Sequence, residues 1–267
     1  MSATPLISVV IPCFNDGAYL PETVERVQQQ TLQDFEIIIV NDGSTDAQTL
    51  SVFDQLEAKG IKVLHKANGR MSSARNYGVA HARGTLIAAL DADDYFHPGF
   101  FEKAVEVLGS DSNIAVVSSY IQLFGAIKKL SKPRGGNAQN FLFSNQCPAC
   151  AMVRKSCWDA VGGYDEAMIY GYEDWEFYIR ITQRGWTVHV IPEVLFFYRQ
   201  TQKSTLKNDT VPKRREIVSY IVDKHKDWYT DQLKSLITTE DILYRKSRIS
   251  IPVISELIRN RLTKKYR

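Results

Sequence analysis

The sequence has 267 residues, a mass of 30.4 kDa, 44% hydrophobic residues, 24% charged residues and a formal net charge of +3. These values are typical of globular proteins, and they exclude collagen-like, low-complexity and wholly disordered chains. Four cysteines are too few for a disulfide scaffold. The sequence has neither a run of about 18 apolar residues nor a basic secretory signal. We therefore expect a cytoplasmic protein without a membrane-spanning helix.

The first hundred residues alternate between patterns typical of strands and patterns typical of helices. Short apolar, β-branched runs predict the strands, and stretches bounded by Pro, Gly or capping residues predict the helices between them. In chain order, the predicted elements are strand 6–11, helix 21–30, strand 35–40, a helix from the polar cluster at 41–46 to about 58, strand 61–65, helix 72–83 and strand 85–90. Apolar strands separated by helices predict a parallel sheet covered on both faces.

The second half of the chain is less regular. Its predicted elements are strand 114–124, a mobile loop with two adjacent glycines at 131–140, strand 151–153, helix 173–184 and strands 187–191 and 194–198. Pro192 separates the last two strands. Cys147 and Cys150 form a CxxC pattern without a His or further Cys that would complete a zinc site, so we expect buried thiols.

The C-terminal segment differs from the rest in charge. Residues 203–267 hold 16 Lys and Arg against 8 Asp and Glu, a net charge of +8, whereas residues 1–202 hold 17 against 22, a net charge of −5. The pattern beyond residue 203 predicts helices interrupted by Pro212 and Pro252, with apolar faces formed by Ile217 and Ile221 and by Ile254, Leu257, Ile258 and Leu262. These faces can lie on an anionic membrane or pack on the preceding domain with solvated charges. No recognised module supports nucleic-acid binding, and we expect none.

Polar clusters follow the first, second and fourth predicted strands. Because ligands bind outside the carboxyl ends of such strands, we expect the clusters to share one crevice. The most informative cluster is Leu90-Asp91-Ala92-Asp93-Asp94. Its carboxylates repel one another unless a cation lies among them, and alternation along an extended chain puts Asp91 and Asp93 on one side. Two oxygen ligands so placed suit Mg²⁺ or Mn²⁺ shared with a phosphate. The alternative is a solvated turn in which Asp94 caps the following helix.

Six short motifs occur in order along residues 6–202. They are Ile11-Pro12-Cys13-Phe14-Asn15, Val40-Asn41-Asp42-Gly43-Ser44-Thr45-Asp46, Ala74-Arg75-Asn76-Tyr77-Gly78, Leu90-Asp91-Ala92-Asp93-Asp94, Gly162-Gly163-Tyr164-Asp165-Glu166 and Glu173-Asp174. The set resembles the family 2 inverting glycosyltransferases, which are nucleotide-diphospho-sugar transferases with the GT-A fold. The resemblance implies an α/β catalytic domain at 1–202 with a Rossmann-like, mostly parallel sheet covered by helices. It also implies a nucleotide-binding half to about 110 and an acceptor half at 111–202, so that 203–267 is a helical appendage.

The resemblance implies six nucleotide-binding residues in the first half, and five of them lie near the base or the diphosphate. Pro12 and Phe14 would border the base, with Phe14 stacked on it, and Glu22 would help to shape the base pocket. Asp42 matches the carboxylate that hydrogen-bonds the uracil ring. Arg75 matches a basic residue near the base and the diphosphate.

The resemblance also assigns the groups nearest to the chemistry. Asp91 would contact the ribose, and Asp93, the second carboxylate of the DxD motif, would coordinate the Mn²⁺ or Mg²⁺ that bridges both phosphates. Asp174 matches the general base, and as a residue of the first turn of helix 173–184 it would tend to stay ionised. The alternative is that Glu173 and Asp174 only cap this helix.

Three further residues are predicted near the acceptor or the diphosphate. Arg70 replaces a residue that is commonly small, so it adds a cation that can reach the diphosphate. Glu173 is the second candidate base. Trp175, with Tyr172, either forms a stacking platform for the acceptor sugar or belongs to the core.

The predicted function is inverting, metal-dependent transfer of a hexose from a nucleotide-diphospho-sugar to a hydroxyl acceptor. The family resemblance favours a UDP-sugar as the donor. The predicted acceptor is a glycan or lipid-linked glycan, and the predicted setting is cell-surface polysaccharide assembly. Residues 183–186 do not match the Gln-x-x-Arg-Trp signature of processive synthases, which favours one sugar per encounter. One alternative is a sugar-nucleotide nucleotidyltransferase, but the expected Gly-rich basic loop is missing. The other is a non-catalytic nucleotide-sugar binding module, against which Asp93 and Asp174 both argue. The basic segment predicts a peripheral contact with the inner face of the membrane.

Overall fold

The computed structural model describes residues 4–201 and 210–247, with side chains described to residue 239. The chain divides into two compact units, Met1–Ile217 and Val218–Arg267. The first unit holds every strand described below and all of the candidate site residues. The predicted boundary between residues 202 and 203 falls within residues 202–209, which lie outside the described part of the chain.

The strands of the first unit form one mixed sheet. They are β1 Ile7–Cys13, β2 Phe35–Asp42, β3 Lys62–Lys66, β4 Leu86–Ala89, β5 Tyr95–Phe96, β6 Ile114–Gly125, β7 Lys129–Ser131, β8 Met152–Arg154 and β9 Thr187–Gln200. Their order is β3-β2-β1-β4-β8-β6-β9-β5, and β7 pairs with β6. Strands β1 to β4 are parallel, as are β6 and β9, whereas β8 is antiparallel to both β4 and β6. Most paired residues therefore lie in parallel pairs, and the predicted α/β fold is confirmed.

The helices connect these strands in the order that the sequence predicts. They are α1 Leu20–Gln28, α2 Ala47–Ala58, α3 Arg70–Ala80, α4 Phe100–Ser110, α5 Lys155–Val161, α6 Glu173–Gln183, α7 Arg214–Lys224 and α8 Lys226–Ser247, with a 3₁₀ helix at Ala138–Phe141. Asp46, the last residue of the polar cluster at 41–46, caps α2, because its carboxylate accepts the backbone N–H of Thr49 at 2.8 Å.

The core lies on both faces of the central strands. All seven residues of β1 are buried, and β2 is buried from Ile37 to its end. Helix α3 packs closely on these strands at Gly78, where an added Cβ would lie 2.4 Å from Cγ1 of Val10 and 3.0 Å from Cγ2 of Val40. Only glycine allows this approach, so Gly78 fixes the distance between α3 and the sheet.

Two predictions about the second half are wrong in detail. The predicted strands 187–191 and 194–198 are one strand, β9, because its pairing with β6 shifts register between Ile191 and Val194. The shift accommodates Pro192, which has no N–H to donate. The predicted mobile loop at 131–140 is tied to β9, since Gly136 and Val188 exchange backbone hydrogen bonds at 2.7 and 2.9 Å.

The thiols and the C-terminal helices follow the predictions where they are described. All four cysteines are buried and free, as predicted for structural thiols. Helices α7 and α8 lie in the predicted helical segment, and Ile217 and Ile221 are buried. The second apolar face, which includes Ile254 and Leu257, lies outside the described residues. No helix in the described part of the chain combines the length and the hydropathy that a membrane span needs.

Candidate active site

Side-chain hydrogen bonds join the polar clusters that follow strands β1, β2 and β4. After β1, the side-chain oxygen of Asn15 accepts the backbone N–H groups of Thr45 and Asp46, which follow β2, at 2.8 and 3.0 Å. In α1, the hydroxyl of Thr23 donates to the carbonyl of Ala92, which follows β4, at 2.8 Å. The clusters after β1 and β2 are thus joined directly, and the cluster after β4 is fastened to helix α1 beside them.

The predicted base-binding residues differ in their exposure. Pro12 is buried within β1, whereas Phe14 is 50% exposed and can offer a ring face to a ligand. Asp42 is 3% exposed, and one of its oxygens accepts from Lys66 Nζ at 2.8 Å and from the backbone N–H of Gly69 at 2.9 Å. Lys66 is therefore a partner of the site that the motif analysis missed.

Glu22 is held by Arg199, the second residue that the sequence analysis missed. Arg199 Nη2 donates to the Glu22 carboxylate at 2.7 Å, and its Nε donates to the carbonyl of Asp93 at 2.8 Å. Its Cζ lies 4.8 Å from the ring centroid of Tyr19 and 4.6 Å from that of Phe124. This one guanidinium fastens the end of β9 to α1 and to the carboxylate turn.

Residues 91–94 form a turn rather than the extended chain that the alternation argument assumes. The backbone N–H of Asp94 donates to the carbonyl of Asp91 at 3.2 Å. Asp94 is 1% exposed and accepts the backbone N–H of Arg199 at 2.7 Å. It does not cap α4, whose N-cap residue is Gly99 without a side-chain hydrogen bond. The alternative of a solvated capping turn is therefore wrong.

The carboxylates of this turn destabilise one another's ionised forms. Burial, followed by the charges of Asp91 and Asp16, raises the pKa of Asp93 to about 7. Burial and the charges of Asp93 and Asp91 also raise the pKa of Asp94. A bound cation relieves such repulsion, so the charge distribution of the turn fits a metal site.

The donor chemistry of the turn fits a hard divalent cation. Within the residues that the structure describes, one group has ligand atoms at metal-binding spacing, namely Asp91, Asp94 and Cys150, whose atoms lie within 4.8 Å of one another. Burial keeps the pKa of Cys150 well above its usual value, so this thiol is a poor ligand for Mg²⁺ or Mn²⁺. Asp94 is buried, whereas Asp91, despite its bond to Arg75, and Asp93 are both partly exposed. Asp91 and Asp93 are therefore the carboxylates best able to reach a cation.

Arg75 links this turn to α6 instead of lying open to a diphosphate. It is 2% exposed; its Nη2 donates to Asp91 at 2.6 Å and its Nη1 to Glu173 at 2.8 Å. Its Cζ lies 5.4 Å from the ring centroid of Tyr164. The exposed cation at the start of α3 is Arg70, which has a positive φ of 68°.

Asp174 lies in the first turn of α6 and is held at both carboxylate oxygens. Asn145 Nδ2 donates to one oxygen at 2.8 Å, and the backbone N–H of Trp175 donates to the other at 2.8 Å. Burial of the carboxylate among protein atoms, followed by the charge of Glu173, raises the pKa of Asp174 to about 7. The net shift is upward, so burial outweighs the helix terminus that is expected to keep this group ionised. A carboxylate with this pKa is matched to proton transfer near neutral pH.

Trp175 belongs to the core, which decides between the two roles left open for it. It is 3% exposed, and its indole N–H donates to the carbonyl of Phe141 at 2.7 Å. A buried indole offers no face to an acceptor sugar. The loop that begins at Phe141 instead exposes Phe143, which is 75% accessible and lies two residues before Asn145.

Residues 8–161 match the family model described as glycosyl transferase family 2, which covers more than half of the chain. The chain belongs to this family. The predicted family resemblance and the predicted glycosyltransferase class are therefore confirmed.

Relatives in this family cover the chain to different extents. The uncharacterized glycosyltransferase YwdF of Bacillus subtilis is 31% identical over 228 residues, which are 82% of this chain and 84% of that protein. The uncharacterized glycosyltransferase EpsJ of the same organism is 40% identical over 104 residues, but the match spans only 30% of its length. Hyaluronan synthase of Pasteurella multocida is 36% identical over 119 residues, 44% of this chain and 12% of that protein.

Solved structures share the fold of this chain. Residues 1–349 of S. aureus TarS in complex with UDP superpose with a TM-score of 0.62 at 18% identity, covering 73% of this chain and 60% of that one. The complex of the same protein with UDP-GlcNAc gives a TM-score of 0.64 at 17% identity, covering 76% and 60%. This likeness confirms the predicted GT-A fold.

Proposed function

We propose that this family 2 member transfers a single hexose, with inversion, from a nucleotide-diphospho-sugar to a glycan hydroxyl. The observation that carries the proposal is the buried Arg75, which bonds to Asp91 in the carboxylate turn and to Glu173, the neighbour of Asp174. A donor-binding turn and an acceptor-activating carboxylate are thereby held in one rigid frame. Such a frame suits a reaction in which donor and acceptor must meet in a fixed geometry.

The donor in this proposal is a UDP-sugar. Asp42 has one oxygen committed to Lys66 and Gly69, which leaves the other to accept an N–H of the base. Uracil presents such an N–H at N3, whereas cytosine presents an acceptor there. The half-exposed ring of Phe14 supports the stacking role, and Arg70 supplies an exposed cation for the diphosphate.

Metal dependence is part of the same proposal. Asp93, with Asp91 beside it, would hold Mn²⁺ or Mg²⁺, which when bound neutralises charge on the leaving diphosphate. The raised pKa of Asp93 and the oxygen donors of both side chains support this assignment.

Asp174 acts as the general base in the proposed reaction. The acceptor hydroxyl oxygen forms a bond to the anomeric carbon, the bond from that carbon to the diphosphate oxygen breaks, and the hydroxyl proton passes to Asp174. Attack from the face opposite the leaving group inverts the anomeric configuration. The pKa of about 7 supports a carboxylate that loses its proton near neutral pH and accepts it readily from the acceptor.

The biological setting that we propose is polysaccharide assembly at the cytoplasmic face of the membrane. Hyaluronan synthase and chondroitin synthase of Pasteurella multocida are among the relatives, which supports a glycan acceptor. The net charge of +8 in residues 203–267 supports a weak, peripheral contact with anionic lipid.

A panel of nucleotide-sugars tests the proposal by thermal shift with and without Mn²⁺, since a ligand that binds the native state raises its apparent stability. We expect UDP-sugars to stabilise the protein only when Mn²⁺ is present. With a working acceptor, Asp174→Asn should keep this binding but lose transfer by at least about a hundredfold. NMR of the product should show the inverted anomer. Release of pyrophosphate would instead identify a nucleotidyltransferase, and binding without turnover would identify a binding module.

A further inference from the structure

We propose that Asn145 is a positioning residue that orients the Asp174 carboxylate and sets the pH range in which this carboxylate accepts a proton. The inference rests on the proposed role of Asp174 and adds a residue that the family motifs do not include. Asn145 lies 29 positions before Asp174 in the sequence, in the loop between the 3₁₀ helix and β8.

The amide of Asn145 is fixed at both ends. Its Nδ2 donates to Oδ2 of Asp174 at 2.8 Å, and its Oδ1 accepts the backbone N–H of Cys147 at 3.2 Å. The second bond sets which end of the amide is the acceptor, so the NH₂ group must face the carboxylate. Oδ1 of Asp174 accepts the backbone N–H of Trp175, so both oxygens of the base have a defined direction.

The loop that carries Asn145 is fastened to the same helix that carries Asp174. On one side of Asn145, the indole N–H of Trp175 donates to the carbonyl of Phe141 at 2.7 Å. On the other side, the hydroxyl of Tyr178 donates to the carbonyl of Pro148 at 2.6 Å. Asn145 is therefore held between two anchors on α6, and its hydrogen bond to Asp174 is part of a prepared geometry.

Charged and titratable groups surround Asp174. Asn145 differs from them because its side chain is neutral and donates a hydrogen bond to the Asp174 carboxylate. The groups that influence it are Glu173, Arg75, Tyr164, Tyr178 and Cys147. Burial and Glu173 raise the pKa of Asp174, whereas Arg75, the Trp175 amide and Asn145 lower it. A hydrogen bond to the ionised form favours that form, so loss of the Asn145 amide should make Asp174 harder to ionise.

Carboxyl ¹³C NMR titration of the full-length protein tests this without any substrate. The Asp174 resonance is assigned by its loss in Asp174→Asn. We expect Asn145→Ala to strengthen proton binding at Asp174 by about tenfold, which is one pKa unit. Asn145→Asp keeps the shape of the side chain but adds a second carboxylate, so it should raise the pKa further. Gln146→Ala removes the neighbouring side chain, whose Nε2 donates to the hydroxyl of Ser144 at 2.6 Å, and should leave the pKa of Asp174 unchanged.

Enzyme kinetics give a second, separate measurement. With the nucleotide-sugar and acceptor that support turnover, the acidic limb of kcat/KM should move to higher pH in Asn145→Ala, while UDP affinity stays the same. An unmoved Asp174 resonance in both Asn145 variants, or a uniform loss of rate with an unmoved limb, would overturn the inference. If Asp174→Asn stays active while the NMR shifts occur as expected, the proposed base is wrong but the coupling of the two residues stands.

Discussion

Replacement of Arg75 by Met should strongly destabilise the protein. The guanidinium is 2% exposed and pairs at 2.6 and 2.8 Å with side chains of Asp91 and Glu173 that are 25% and 11% exposed. Methionine has a comparable length but no charge, so it leaves the Glu173 carboxylate buried beside Asp174 without a cation. Removal of one partner from a buried ion pair costs about 3–5 kcal/mol.

That free energy converts to a loss in Tm of about 6–20 °C, at roughly 2–4 °C per kcal/mol for a domain of this size. Urea denaturation followed by circular dichroism measures the free energy of unfolding. Lys103→Met is the matched control, because Lys103 pairs with Glu193 at 2.5 Å while the two side chains are 41% and 50% exposed, and such exposed pairs contribute about 0–1 kcal/mol. A loss in Arg75→Met no larger than in this control would refute the reasoning.

A second substitution separates the lost charge pair from lost packing. In Arg75→Met with Glu173→Gln, the uncompensated buried carboxylate is gone, so part of the stability should return even though one more native group is missing. Additive losses in the double variant would mean that packing, including the contact of the guanidinium with the Tyr164 ring, dominates the effect.

Three further predictions concern ligands. Asp93→Asn should abolish the Mn²⁺-dependent part of UDP binding in thermal-shift measurements while the protein stays folded; undiminished binding would contradict the metal assignment. Phe143→Ala should raise the KM for a glycan acceptor by about fivefold, the equivalent of roughly 1 kcal/mol of apolar contact, with donor affinity unchanged. The control is Leu130→Ala, which alters an exposed side chain of β7. An equal rise in KM in this control would argue against a specific contact. The protein should co-sediment with anionic vesicles at low salt and leave them near physiological salt. Removal of residues 248–267, which hold six Lys and Arg against one Glu, should weaken this binding. Equal binding to neutral vesicles would exclude the electrostatic contact.

Features set by neighbours in the sequence could be predicted well. The parallel strands β1 to β4 lie where buried, β-branched runs indicate them, and Asp46 caps α2 as its position suggests. The clusters after β1, β2 and β4 meet because the direction of parallel strands brings their carboxyl ends together. In each case the pattern and its physical cause lie within a few residues or follow from the sheet topology.

Features set by distant partners could not be predicted. The hydrogen bond from Asn145 to Asp174 spans 29 positions, and the bond from Arg75 to Glu173 spans 98. A basic residue near a phosphate site suggests an open cation, and only the paired carboxylates from other segments show that Arg75 is buried between them. The pKa of Asp174 also depends on burial by several segments, which outweighs the helix terminus that the sequence reveals.

The bonds of Arg199 have a consequence for how the protein folds. They join β9 to Asp94, Asp93 and Glu22 across 105, 106 and 177 positions in sequence. Contacts this distant close large loops, and they form late when a chain emerges from the ribosome in order. A nascent chain that ends before β9 therefore lacks the group that fixes the carboxylate turn, even when strands β1 to β4 are already paired. We expect nucleotide binding to appear only once synthesis has passed residue 199, so that the earliest part of the sequence becomes competent at the same time as the last strand of its sheet.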